Sequence, residues 1–218
     1  MLMVKTIHHR KNNRLSLKVC GMKHNTLEVA QLEPDYLGFI FFEKSKRNYD
    51  KAHIEILPEG IKKVGVFVDA SIAFVVDKIK QFQFDVIQLH GSETPKYCKT
   101  LQTDSKVEVW KVFSIKDHFD FSVLEAYETV VDKFLFDTKG KEKGGNGYTF
   151  DWSVLQDYPS QKPFILSGGI GLEEIPAVNE LKKTKLPLFG IDVNSKFEDK
   201  PGLKNIDLLK SLVNELNR

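Results

Sequence analysis

Residues 63–89, KVGVFVDASIAFVVDKIKQFQFDVIQL, hold a strand, a helix and a strand in succession. Lys63 to Val68 is short and rich in β-branched and aromatic residues, whereas Ser71 to Phe82 places apolar residues at helical spacing, and Val86 to Leu89 opens a second strand. A strand, helix, strand unit predicts parallel neighbours, because a parallel pair needs a crossover and that crossover is usually a helix. The same alternation runs outward in both directions. Further strands are expected at Ser16–Cys20, Tyr36–Phe41, Glu108–Phe113, Lys133–Phe136, Pro163–Ser167 and Leu188–Val193. Helices are expected at Thr26–Leu32, Asp50–Leu57, Thr94–Leu101, Asp117–Tyr127, Trp152–Tyr158, Leu172–Leu181 and Asn205–Asn217, with Asn25, Ser92 and Asn205 as capping residues. Eight units over residues 15–218 predict an α/β fold, a single (β/α)8 TIM barrel serving as the catalytic domain. An open doubly wound sheet is the alternative, but six strands are usual there, and Cys20-Gly21-Met22 is not its glycine-rich phosphate turn.

The chain has 218 residues and a formal net charge of +2, which excludes function through bulk charge. With 41% apolar and 28% charged residues it has the composition of a globular protein. Two cysteines are too few for a disulfide-stapled fold, so the expected compartment is the cytoplasm. The longest apolar stretch, Tyr36 to Phe42, falls far short of the roughly 20 residues of a membrane helix. Residues 1–14 read as a short, disordered, flexible arm whose basic residues lack the interleaved aromatics of a nucleic-acid site. No nucleic acid or membrane is expected as a partner.

In such a barrel the chemistry lies at the C-terminal ends of the strands. Side chains alternate along a strand, so Lys18 and Cys20 should point inward while Leu17 and Val19 face the helices. A nearby ammonium would favour the Cys20 thiolate; the plain alternative is an inert buried cysteine, as expected for Cys98. The same alternation turns Asp137 inward, as an acid at the barrel mouth or as a salt-bridge partner of Lys139 or Lys111. Strands one and six lie on different sides of the ring, so Cys20 and Asp137 could flank a substrate, an arrangement suited to isomerisation. Ser167, Gly168 and Gly169 after strand seven, with Asn194 and Ser195 after strand eight, occupy the two loops where these barrels bind phosphate. Gly144-Gly145-Asn146-Gly147 could fold over a ligand or form a plain turn. Arg47 could grip a carboxylate, and Gln88 and His90 end strand four on the functional face, where His90 could bond a sugar hydroxyl or cap the strand. No His, Cys or carboxylate spacing suggests a metal.

Taken together, Lys-Val-Cys-Gly-Met (18–22), Gly-Phe-Ile-Phe (38–41), Lys-Ser-Lys-Arg (44–47), Val-Gly-Val-Phe-Val (64–68), Gln-Leu-His-Gly (88–91), Phe-Asp-Thr-Lys (136–139), Gly-Gly-Asn-Gly-Tyr-Thr-Phe-Asp-Trp (144–152), Leu-Ser-Gly-Gly (166–169) and Asp-Val-Asn-Ser (192–195) resemble the phosphoribosylanthranilate isomerase family in order and spacing. The resemblance implies a cofactor-free Amadori rearrangement in tryptophan biosynthesis, acting on a small phosphosugar as a monomer or homodimer. It makes Asp137 the general acid and Cys20 the general base. Arg47 would hold the anthranilate carboxylate, Asp192 the bridging amine, and the loops after strands seven and eight the phosphate.

Three features depart from the family. The arm precedes its usual start, Lys196 stands where glycine is usual, and Asn205 replaces an aspartate. A positive φ would strain a lysine at 196, whose side chain is expected to point to solvent. A related isomerase of histidine biosynthesis would place aspartate at position 20, and indole-glycerol-phosphate synthase would want a catalytic lysine and more N-terminal helix. A non-catalytic anthranilate- or phosphate-binding barrel is the remaining alternative; retention of both Cys20 and Asp137 argues against it.

Overall fold

The structure is a computed structural model describing residues 14–116, 118–138 and 149–217. Eight parallel strands close into a barrel in sequence order: β1 (Ser16–Val19), β2 (Tyr36–Phe41), β3 (Lys62–Phe67), β4 (Val86–Leu89), β5 (Glu108–Ile115), β6 (Lys133–Thr138), β7 (Phe164–Leu166) and β8 (Leu188–Val193). Closure runs through β1 and β8, with Lys18 beside Asp192 and Val19 beside Val193.

Strand alternation divides the apolar residues into two cores. Cys20, Val64, Val66, Val86, Trp110, Val112, Leu135 and Ile165 fill the barrel interior. Leu17, Val19, Leu37, Phe39, Phe134 and Phe136 face the surrounding layer. At the N-terminal mouth Tyr36 meets Trp110 edge to face at 5.0 Å, and the Lys133 ammonium lies 4.5 Å from the Phe189 ring centre. Stabilising groups thus occupy one end of the barrel and leave the other to chemistry.

Among the described residues five α-helices accompany the strands: α1 (Thr26–Ala30), α2 (Ile72–Phe82), α3 (Pro95–Ser105), α4 (Ile175–Lys182) and α5 (Ile206–Leu216). The Asn205 side chain caps α5 by accepting from the Leu208 N–H at 3.0 Å, as expected. The other two expected caps are corrected. Thr94 rather than Ser92 caps α3, while Asn25 exchanges two hydrogen bonds with the backbone of Lys204 and does not cap α1.

No helix forms over residues 50–57. Two carbonyls that such a helix would use are engaged elsewhere: His53 O accepts from the Tyr49 hydroxyl and Ala52 O from the Gln81 amide. Ile54 and Leu57 reach the outer core while Ile56 is 96% exposed. After β5 and β6 the expected helices shorten to 3-10 turns, Phe121–Tyr127 and Trp152–Asp157. Large rings make these short turns sufficient covers: Phe121 meets Phe136 at 6.1 Å, and Tyr158 meets Phe136 and Phe164 at 5.5 and 5.2 Å.

Of the arm expected at residues 1–14, residues 1–13 lie outside the described residues, and the Arg14 guanidinium donates to the Asp35 carboxylate at 2.9 Å. The Gly144–Gly147 loop and Lys139 also lie outside them. Among the described residues no helix is long and apolar enough to cross a membrane.

Candidate active site

A cavity of about 330 Å³ opens at the C-terminal mouth of the barrel. Each site residue singled out in the sequence lines it. Cys20 comes from the end of β1, Arg47 from the loop after β2, Gln88 and His90 from β4, and Asp137 from β6. Ser167, Gly168 and Gly169 follow β7, and Asp192, Asn194 and Ser195 come from β8 and its loop. Ile40, Phe42, Val66 and Val68 supply an apolar wall.

The floor is built around a buried charge pair. Lys18 Nζ donates to Asp192 Oδ2 at 2.7 Å, with the two side chains only 1% and 5% exposed. Burial pulls the Lys18 pKa down, but Asp192 and Cys20 together outweigh it and hold the ammonium above its usual range. Gly38 admits both neighbours: a Cβ there would lie 2.9 Å from Cys20 Sγ and 3.1 Å from Lys18 Nζ. Burial pushes the Cys20 thiol above its ordinary 9.0, and the adjacent ammonium only partly offsets this. The expected ammonium is therefore present, but desolvation wins over it. Asp192 Oδ1 is buried without a hydrogen-bond partner and belongs to the cavity lining, so a ligand N–H would satisfy it.

On β6, Asp137 Oδ2 lies 3.2 Å from His90 Nε2. Lys111, one of its expected partners, is engaged with Glu93 at 3.2 Å, both side chains being buried. His90 Nδ1 faces the Gln88 amide nitrogen at 3.4 Å, and Gln88 Oε1 is buried without a partner.

Arg47 is not a free guanidinium. Its Nε donates to both oxygens of Glu198, at 3.0 and 2.9 Å, and its Nη2 donates at 2.6 Å. Glu198 also accepts from Lys204 Nζ at 2.8 Å, and Lys204 reaches Asn194 Oδ1 at 2.7 Å. A hairpin of β9 (Glu198–Lys200) and β10 (Leu203–Lys204) brings these groups under the β8 loop. Burial alone would raise the Glu198 pKa, but Arg47 and Lys204 hold it below the carboxylate range. Burial pulls Lys204 down to about 8. The sequence reading missed Glu198, Lys204 and Glu93; alternation points to strand faces and carries no information about partners on other loops.

After β7, Gly168 adopts φ +89, and a Cβ there would run into the backbone nitrogen of Thr138, so only glycine lets the β6 and β7 loops meet. Lys196 lies in a 3-10 turn, Ser195–Phe197, and is not among the residues with positive φ. The strain expected of a lysine at this position is therefore absent. Its stem runs 3.5–3.6 Å from where a Gly171 Cβ would stand, beside the cavity, in an otherwise exposed residue.

A profile of the N-(5'phosphoribosyl)anthranilate (PRA) isomerase family matches residues 17–215. The chain is 42% identical over 210 residues to the N-(5'-phosphoribosyl)anthranilate isomerase of Parabacteroides distasonis, covering 92% of each protein. The crystal structure of phosphoribosyl anthranilate isomerase from Thermotoga maritima superposes with a TM-score of 0.79 at 28% identity, covering 93% of this chain and 98% of that one. A phosphoribosyl anthranilate isomerase structure in complex with reduced 1-(o-carboxyphenylamino)-1-deoxyribulose 5-phosphate aligns at 26% identity with a TM-score of 0.75, over 93% and 98% of the two chains.

Proposed function

The chain belongs to the N-(5'-phosphoribosyl)anthranilate isomerase family, and we propose that Cys20 and Asp137 carry its Amadori rearrangement as general base and general acid. The reaction converts N-(5'-phosphoribosyl)anthranilate to 1-(2-carboxyphenylamino)-1-deoxyribulose 5-phosphate, an isomerisation of tryptophan biosynthesis. Asp137 protonates the ribose ring oxygen as its bond to carbon 1 breaks and the nitrogen lone pair forms an iminium. The Cys20 thiolate then removes the proton from carbon 2, and the released electron pair neutralises the iminium as an enolamine. Tautomerisation gives the ketose.

The observation that supports these roles is the meeting of a thiol from β1 and a carboxylate from β6 on one cavity within the usual size range of small-molecule sites. Lys18 places a fixed positive charge where the thiolate forms, and Asp192 Oδ1 is the natural acceptor for the bridging amine N–H. Arg47, with Nε and Nη2 committed to Glu198, offers its remaining guanidinium hydrogens to the anthranilate carboxylate. The phosphate falls to Ser167, Gly168 and Gly169 with Asn194 and Ser195, whose loops border the cavity. Gln88 and His90 complete the wall nearest Asp137.

The test is direct. Purified protein is added to freshly formed phosphoribosylanthranilate, the anthranilate chromophore is followed, and the product is identified by mass. A ketose product supports the reading, whereas binding without conversion would leave a non-catalytic barrel.

A further inference from the structure

Resting on the acid and base roles above, we propose that His90 is the residue through which Asp137 regains its proton in every catalytic cycle, with the Gln88 amide turning to suit whichever ring nitrogen carries hydrogen.

The need follows from proton bookkeeping. The substrate takes one proton at the ring oxygen and releases one at carbon 2, while the final tautomerisation only moves a proton within the product. Each turnover therefore leaves Asp137 ionised and Cys20 neutral. One proton must reach the carboxylate and one must leave the thiol before the next substrate reacts. Asp137 is only 3% exposed, and among the described residues His90 is the side chain that meets it, with Nε2 at 3.2 Å. His90 itself lines the cavity.

The surroundings hold the backbone that carries the ring. The His90 backbone N–H donates to Phe67 O at 2.8 Å. The next residue, Gly91, donates to the Glu93 carboxylate at 2.9 Å and accepts from Lys111 Nζ at 2.9 Å. A buried ion pair contributes little net stability, but this one brackets the backbone that carries the imidazole.

Gln88 fits two proton states. With its Nε2 toward His90 Nδ1 at 3.4 Å, Nδ1 is the acceptor and the hydrogen sits on Nε2, which lies 3.2 Å from Asp137 Oδ2. Its Oε1 is buried without a partner. A half-turn of the amide exchanges two groups of nearly equal size. Oε1 would then accept from Nδ1–H, leaving Nε2 to accept from protonated Asp137. Between the two states the Nε2–H bond breaks as O–H forms on Asp137 Oδ2, and Nδ1 takes a proton from water or a buffer acid in the cavity. Imidazole is neutral at both ends, and exchange with water restores the first tautomer.

Rapid-mixing kinetics separate this role from substrate binding. His90→Gln should give a burst of about one equivalent of product followed by a phase at least about tenfold slower than that burst, because the return of the proton is lost. Added imidazole should speed the slow phase in proportion to its concentration and leave the wild type unchanged. Gln88→Met, which keeps the imidazole, should show the same burst with a smaller slowing, and it decides the matter if circular dichroism shows His90→Gln unfolded. A slow first turnover without response to imidazole, or a raised KM alone, would overturn the proposal. Unchanged steady turnover in both variants would do the same. Wild-type protein without isomerase activity would instead defeat the underlying reading, and this proposal with it.

Discussion

At the scale of single residues the decisive balance is between desolvation and charge at Cys20. Burial raises the thiol above 9.0 although Lys18 stands beside it, so the free site holds mostly thiol at neutral pH. The competent free enzyme must hold Cys20 as thiolate and Asp137 protonated at once, so a raised thiol leaves only a small competent fraction at neutral pH. Lys18→Met removes the charge that opposes desolvation and should lower kcat/KM measured at neutral pH. An unchanged kcat/KM would show that the ammonium does not act on the thiol. Cys20→Ala and Asp137→Asn should each lower kcat by at least about 10²-fold, the scale of one acid or base step, with product binding measured by titration nearly intact. Arg47 differs in kind. The carboxylate it would hold has the same charge in ground and transition states, so Arg47→Ala should appear chiefly as a raised KM in steady-state kinetics.

Between elements, Glu198 ties the β2 loop to the β8 loop and the β9–β10 hairpin. Its carboxylate is 3% exposed and pairs with both Arg47 and Lys204. Glu198→Gln leaves Lys204 without its anion and Arg47 without its orienting fork. Removing one partner from a buried pair typically costs about 3–5 kcal/mol, so the variant should melt lower as well as show a raised KM. An unchanged melting temperature would mean that water replaces the lost partner. The two 3-10 turns behave differently, since aromatic contact rather than charge holds them on the barrel. Phe121→Ala empties the space against Phe136 and Tyr158 and should cost roughly 3 kcal/mol in chemical denaturation. It lies outside the cavity lining, so kcat/KM of the folded fraction should not move.

Over the whole molecule, stability against pH has an alkaline limit set by buried hydroxyls. Burial pushes Tyr97 and Tyr158 up to about 12 and Tyr49 higher still, against an unfolded value near 10.0. A raised acid pKa contributes stability that is full below the unfolded value and is lost as pH climbs to the folded one. Melting temperatures should therefore fall between pH 10 and 12. Lys204 acts in the opposite sense from pH 8 to 10.5, where the unfolded chain binds the proton and the folded one does not. Melts between pH 8 and 9 should accordingly hold level or rise, before the buried Cys20 and Cys98 thiols, held above 9.0, add to the fall, and a steady fall from pH 8 would contradict this. The barrel itself was legible in the sequence because strand and helix periods are local. The alternation in residues 63–89 specifies a unit that can bury its apolar face only against copies of the same pattern, and eight units close the ring. The strand-end residues were legible for the same reason, since period two assigns Cys20 and Asp137 to one interior. The absent helix at 50–57, the misassigned caps and the Arg47–Glu198–Lys204 cluster were not. Gln81 and Lys204 act on the 50–57 segment, on Asn25 and on the cluster by hydrogen bonds from other elements, and a free carbonyl or guanidinium takes whichever partner the closed barrel brings near. Local propensity determined what each segment could form; the tertiary structure determined which polar groups would meet, because that energy exists only after distant segments are in contact.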